Sequence, residues 1–254
     1  MKKILIQFNE ANFDVIKKYC SSNKLPSLQN LLSNFKSIET SSEKEYKNLE
    51  PWIQWYSFYS NLKFEEHGVF NLGDCLKNNH DNFLINEASK GNKVGVFSAM
   101  NCRPNDSFHT YLPDPWTESE VKGSFSERVV FKVVKKLVND NAGLKISIKD
   151  LLGIIMLIGI PRTFDDISVI LSTIKSFMRK ERATLASTFD YFFGKYCLKR
   201  TQKSALDLSI FFLNGFAHVQ HHYMLNSEYV NGKNPSWYSN NNDSLLESLK
   251  IYEK

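Results

Sequence analysis

Hydrophobic residues along this chain fall into two regimes. Short, nearly continuous apolar runs stand at Lys2 to Phe8 (KKILIQF), Lys93 to Ala99 (KVGVFSA) and Asp207 to Leu213 (DLSIFFL). Runs of that length, closed by polar residues, predict strands buried on both faces, as in a parallel sheet. Elsewhere apolar positions recur every three or four residues, the spacing of a helix with one buried face. Such stretches are Phe13 to Tyr19, Leu28 to Phe35 with Pro26 just ahead of it, Pro51 to Leu62, Phe83 to Ser89 and Leu245 to Tyr252. The alternation predicts an α/β fold, a mainly parallel sheet sandwiched by helices.

From about Ser126 to Leu198 the helical spacing takes over. Val129, Val130, Val133, Val134 and Leu137 form one stripe, and Ile167, Ile170, Leu171, Ile174, Phe177 and Met178 another, with Pro161 between them. The apolar stripes are expected to face inward and basic residues outward. This block reads either as an inserted helical cap or as ordinary layer helices of the same domain. The expected organisation is a core over 1–125, a helical insertion over 126–198 and a continuation of the core over 199–254. Lys199 to Lys203 reads as a short basic connector and Tyr111 to Thr117 (YLPDPWT) as a rigid loop braced by Asp114 and Trp116. Asn231 to Asp243 reads as an Asn-rich loop.

Composition narrows the function classes. With 254 residues, 42% of them hydrophobic and 23% charged, the chain is neither disordered nor a coiled coil. An excess of 32 basic over 27 acidic residues admits an anionic substrate but is too mild to call for a nucleic acid polymer. The longest apolar run, Leu151 to Ile160, is ended by Pro161 and too short to span a bilayer. The apolar start after Met1-Lys2-Lys3 breaks at Gln7 and Asn9, too soon for a secretory leader. Cys20, Cys75, Cys102 and Cys197 are scattered without a CxxC, so a reduced, cytoplasmic setting is expected. No dinucleotide, P-loop or serine-hydrolase glycine motif occurs.

Ligands of open parallel sheets gather at the carboxyl ends of the strands. Here those ends carry Asn9-Glu10, then Asn101, then Asn214 followed by His218, His221 and His222. On a helix, His218 and His222 share a face at i, i+4, a spacing that suits one metal ion with Glu10 as a carboxylate donor. The alternative is a set of histidines hydrogen-bonded to backbone. His67-Gly68 reads as a helix C-terminus with Gly at the first position beyond it.

The segments FNEANFDVI, LPSLQNLL and EPWIQWYSFYSNLKFEEHGVF, with DLSIFFLNGFAHVQHHY near the end, resemble in order and spacing the alkaline phosphatase superfamily, in its type I phosphodiesterase and nucleotide pyrophosphatase branch. The resemblance implies an alkaline-phosphatase-like core with a cap. It also implies a hydrolase or transferase of phosphate or sulfate esters that uses divalent metals, Zn2+ or Mn2+. Asn9 falls on the first metal Asp, with Glu10 beside it. Asn214 and His218 fall on an Asp-x-x-x-His metal pair, which His222 extends. Glu50 falls near the nucleophile, while Ser57 and Ser60 fall on non-nucleophilic positions. His67, Asn101 and His221 are the expected substrate-binding residues. The later Asp-His-Gly motif has no counterpart, so the resemblance covers a core lacking its C-terminal part. The expected substrate is a small-molecule or glycan ester. The alternative is a catalytically inactive relative or fragment that binds an anionic ligand or a partner protein. A homo-oligomer or a second polypeptide would then complete the sheet.

Overall fold

The computed structural model describes residues 2–139, 147–178, 183–230 and 243–254. Among these the chain is an α/β protein. Its strands are β1 (Lys3–Phe8), β2 (Val94–Phe97), β3 (Thr110–Leu112) and β4 (Leu208–Leu213). Its α-helices are α1 (Phe13–Ser21), α2 (Pro26–Asn34), α3 (Pro51–Ser60), α4 (Phe64–His67), α5 (Phe83–Ser89), α6 (Phe125–Asn139), α7 (Ile148–Ile158), α8 (Phe164–Met178), α9 (Ala183–Lys203), α10 (Gly215–Tyr223) and α11 (Ser244–Tyr252). The strands form one parallel sheet in the order β1-β4-β2-β3. Every residue of β2 (VGVF) and β4 (LSIFFL) is buried. That is why both read as nearly continuous apolar runs. Strand β1, expected to be buried on both faces, instead leaves Ile4, Ile6 and Phe8 exposed, because it pairs only with β4 at the edge of the sheet.

Two compact units divide the chain. The first comprises Met1–Gln7, Ser41–Gly159 and Lys195–Phe212, and the second Phe8–Thr40, Ile160–Gly194 and Leu213–Lys254. In the first, Tyr59, Leu84, Val94, Val96, Tyr111 and Ile210 form the core under the sheet. The hydroxyl of Tyr59 donates to Gln7 Oε1 at 2.9 Å. Helix α7 crosses α6 closely at Gly153, where a Cβ would fall 2.2 Å from Val133 Cγ2. In the second, Val15, Ile16 and Tyr19 of α1 pack with Phe216 and Val219 of α10 and Leu245 and Leu249 of α11. Asn12 caps α1 by accepting from Val15 N at 3.1 Å, and Asp243 caps α11 by accepting from Leu246 N at 2.9 Å.

Several expectations change here. The stretch read as the loop YLPDPWT begins inside β3, which is held on one side by β2 in the register Val96 to Tyr111. On its other side Tyr111 N donates to Lys122 O at 2.7 Å and Lys122 N to Tyr111 O at 2.9 Å. Lys199 to Lys203 is the last turn of α9, not a connector. The helical stretch 126–198 is shared between the two units, with α6 and α7 in the first and α8 in the second. The outer face of α8 is apolar rather than basic. Residues 231–242 of the expected Asn-rich loop lie outside the described residues. No helix among the described residues is long and apolar enough to cross a membrane.

Candidate functional site

In the second unit, the segments that follow β1 and β4 bring most of the expected ligand residues to one place. Asn9 extends the ladder, its N–H donating to Leu213 O at 3.0 Å. Its buried side chain donates from Nδ2 to Asn214 Oδ1 at 2.8 Å. Asn214 precedes α10 but makes no side-chain cap bond to it, its amide being turned to Asn9 instead. Glu10 holds φ +50°, a left-handed conformation that costs a non-glycine residue roughly 1 kcal/mol. Gln220 of α10 clamps this turn, donating to Glu10 O and accepting from Asn12 N at 2.9 Å. So held, the Glu10 carboxylate reaches His221 Nε2 at 2.7 Å. The rings of His218 and His222 lie 4.6 Å apart, as their i, i+4 spacing on α10 requires. Desolvation, with the neighbouring imidazoles of His222 and His221, lowers the His218 pKa below the ordinary histidine value. That keeps its nitrogen lone pair available near neutral pH.

The N-terminus of α10 is already served by a group that sequence reasoning missed. Asp190 of α9 accepts from Gly215 N at 2.7 Å and from Tyr252 OH at 2.6 Å. It replaces a local cap and occupies the place where a helix would otherwise hold an anion. Burial pushes its carboxyl up to about 7, against the lowering effect of these hydrogen bonds. Only glycine fits at 215, because a Cβ there would meet Ala186 O at 2.4 Å and Asp190 Oδ2 at 2.8 Å. The signal available in the sequence was one acid inside the apolar stretch TFDYFFGKY.

The remaining expected residues belong to the first unit and have other duties. Glu50 is exposed and precedes α3, its carbonyl accepting from Ile53 N at 3.0 Å and Gln54 N at 3.1 Å. His67 is buried at the end of α4, followed by Gly68 at φ +63°. Its Nδ1 accepts from Val69 N at 3.0 Å, so in the neutral ring Nε2 carries the proton. Nε2 lies 2.8 Å from Ser57 Oγ and therefore donates to it. A serine beside a histidine suggests a nucleophile and base, but this tautomer cannot take the serine proton. Burial, with His80 nearby, lowers the His67 pKa and keeps the ring neutral. Asn101, fully buried at φ +53°, spends its side chain on backbone, donating to Trp52 O and Asn71 O at 3.2 Å each and accepting from Gly73 N at 3.0 Å. Asp114 braces the same region, accepting from Asn101 N at 2.9 Å and Thr117 Oγ1 at 2.7 Å.

A cleft of about 890 Å³ in the first unit contains none of the expected residues. Two of its cations are engaged, Arg200 with Glu127 at 3.0 Å and Arg128 Nε with Gly123 O at 3.0 Å.

The metal pair implied by the resemblance does not fit these residues. Two neighbouring cations need several carboxylates to offset their repulsion. At the paired strand ends there are two neutral amides that bond directly to each other. Among the described residues no group of three His, Cys, Asp or Glu side chains converges as a metal site. The donors present, the Glu10 carboxylate against His221 and the His218–His222 ring pair, suit one ion by type, in an arrangement that is not preassembled. No protein-family model, no curated protein and no solved structure shows a significant match to the chain.

Proposed function

We propose that the chain acts on phosphate or sulfate esters as a metal-dependent hydrolase or transferase, with a single divalent cation held by Glu10 and the histidines of α10. The observation that carries the cation is the contact of Glu10 with His221 at 2.7 Å, beside the paired rings of His218 and His222. A carboxylate beside imidazole nitrogens attracts a cation, and the strained turn at Glu10 aims that carboxylate at His221. The ester class rests on the alkaline phosphatase resemblance alone. A bound Zn2+ or Mn2+ supplies Lewis-acid polarisation of an ester oxygen. This chain's own residues position the donors: Gln220 fixes the backbone of the turn and Asp190 fixes the start of α10.

A second reading, a catalytically inactive relative that binds an anionic ester, is favoured by the Asn9–Asn214 amide pair. Protein purified without chelator separates the two. Metal content by mass spectrometry is expected near one ion per chain, falling at least tenfold in Glu10→Ala and His222→Ala. Turnover of bis(p-nitrophenyl) phosphate or p-nitrophenyl sulfate should fall with it. Ester-induced thermal stabilisation that persists in EDTA, without turnover, would establish the binding reading instead. Neither metal, turnover nor stabilisation would refute both.

A further inference from the structure

Helix α8 is built inside out. The residues it buries, Asp166, Val169 and Ser176, are mostly polar, with Ile170 and Thr173 half-buried beside them. Asp166 accepts from Tyr191 OH at 3.0 Å and from Arg162 N at 2.9 Å, and Thr173 Oγ1 bonds to Thr188 of α9. The opposite face carries Phe164, Ile167, Leu171, Ile174, Phe177 and Met178, with exposures from 50% at Ile167 to 82% at Phe164. Phe164, Ile167, Leu171, Ile174 and Met178 follow the alternating three- and four-residue spacing of a coiled-coil seam. A helix that buries its polar side in its own unit and shows its apolar side to water is complete only when something covers it.

We propose that a second copy of this chain covers it, through antiparallel pairing of α8 with α8 about a two-fold axis at Leu171. The seam is close to symmetric about that point, with apolar residues four and seven positions before it and three and seven after it. Phe164 then opposes Met178 and Leu171 opposes itself, as an isologous interface requires, while Ile167 and Ile174 lie one residue off register with each other. Charge agrees with this register. Asp165 stands near the N-terminal end and exposed Lys175 near the C-terminal end, so antiparallel copies bring opposite charges together. Within its own chain Asp165 meets only the partly exposed Lys254, at 3.6 Å, among the ion pairs of the described residues. The six apolar side chains present on the order of 700 Å² per chain, close to the roughly 800 Å² per partner of a stable interface.

Light scattering on the full chain tests this, with Leu171→Glu and Leu171→Cys as variants. Wild type should have the mass of two chains at micromolar concentration. Leu171→Glu should have the mass of one, with an unchanged circular dichroism spectrum because the site is exposed. All four native cysteines are buried, so Leu171→Cys supplies an accessible thiol and should form a reducible covalent dimer under mild oxidation. A wild-type monomer, or a dimer that Leu171→Glu leaves intact, overturns the proposal. So does a wild-type monomer that floats with phosphatidylglycerol vesicles and loses this in Leu171→Glu, which would assign the face to a lipid surface.

Discussion

Replacing Asp190 with Asn should change how stability depends on pH. In the folded chain the carboxyl is 3% exposed and titrates near 7, whereas unfolded it has the ordinary value of 3.8. Between those values the folded state keeps a proton that the unfolded state has released. Stability from this group is therefore full below about pH 4 and is lost as pH rises through about 7. A gap of about 3 units, at 1.36 kcal/mol each, amounts to about 4 kcal/mol. That is a large share of the roughly 5–15 kcal/mol that holds a domain folded. Asn cannot ionise, yet its oxygen can still accept from Gly215 N and Tyr252 OH. Urea unfolding followed by tryptophan fluorescence from pH 4 to pH 8 measures the effect. Wild type should lose stability relative to Asp190→Asn by about 1.4 kcal/mol per pH unit below pH 7 and run parallel to it above. Curves that stay parallel within about 0.5 kcal/mol over the whole range would refute the assignment of a buried, protonated acid at the start of α10.

Other substitutions probe the remaining arguments. Gly215→Ala places a methyl group against the Ala186 carbonyl and should cost about 2–4 kcal/mol in chemical denaturation; equal stability would show that α9 and α10 are not in contact there. Glu10→Gly relieves the left-handed strain and should stabilise the fold by up to about 1 kcal/mol while abolishing cation retention, so a variant that keeps its metal removes Glu10 from the site. Long-range nitrogen-15 NMR should show His67 protonated at Nε2 and neutral below the usual histidine range; a protonated Nδ1 would reopen Ser57 as a nucleophile. Arg200→Ala strands the buried Glu127 carboxylate and should cost about 3–5 kcal/mol by thermal or urea unfolding, and a loss under 1 kcal/mol would show the pair to be hydrated.

The amino-acid sequence by itself determined the α/β class and most elements, for a local reason. Strands buried on both faces are nearly continuously apolar, so β2 and β4 were legible within a residue or two, and β1 was placed as well although most of its residues are exposed. Helices α1, α3 and α5 were legible from apolar spacing, and the structure adds the Asn12 and Asn82 caps and Pro51 in the first turn of α3. The grouping of His218 and His222 on one face was fixed by helical geometry once α10 was assigned. What the tertiary structure decided were relations between residues far apart in the chain. Asn9 and Asn214, 205 positions apart, neutralise each other's amides by direct contact, and Asp190 reaches the amide of Gly215 from another helix. Strand β3 is three residues long and exists because β2 and Lys122 pair with it. Periodicity likewise revealed the stripe on α8 but not its direction, because spacing fixes which residues share a face and only packing fixes which face meets the interior.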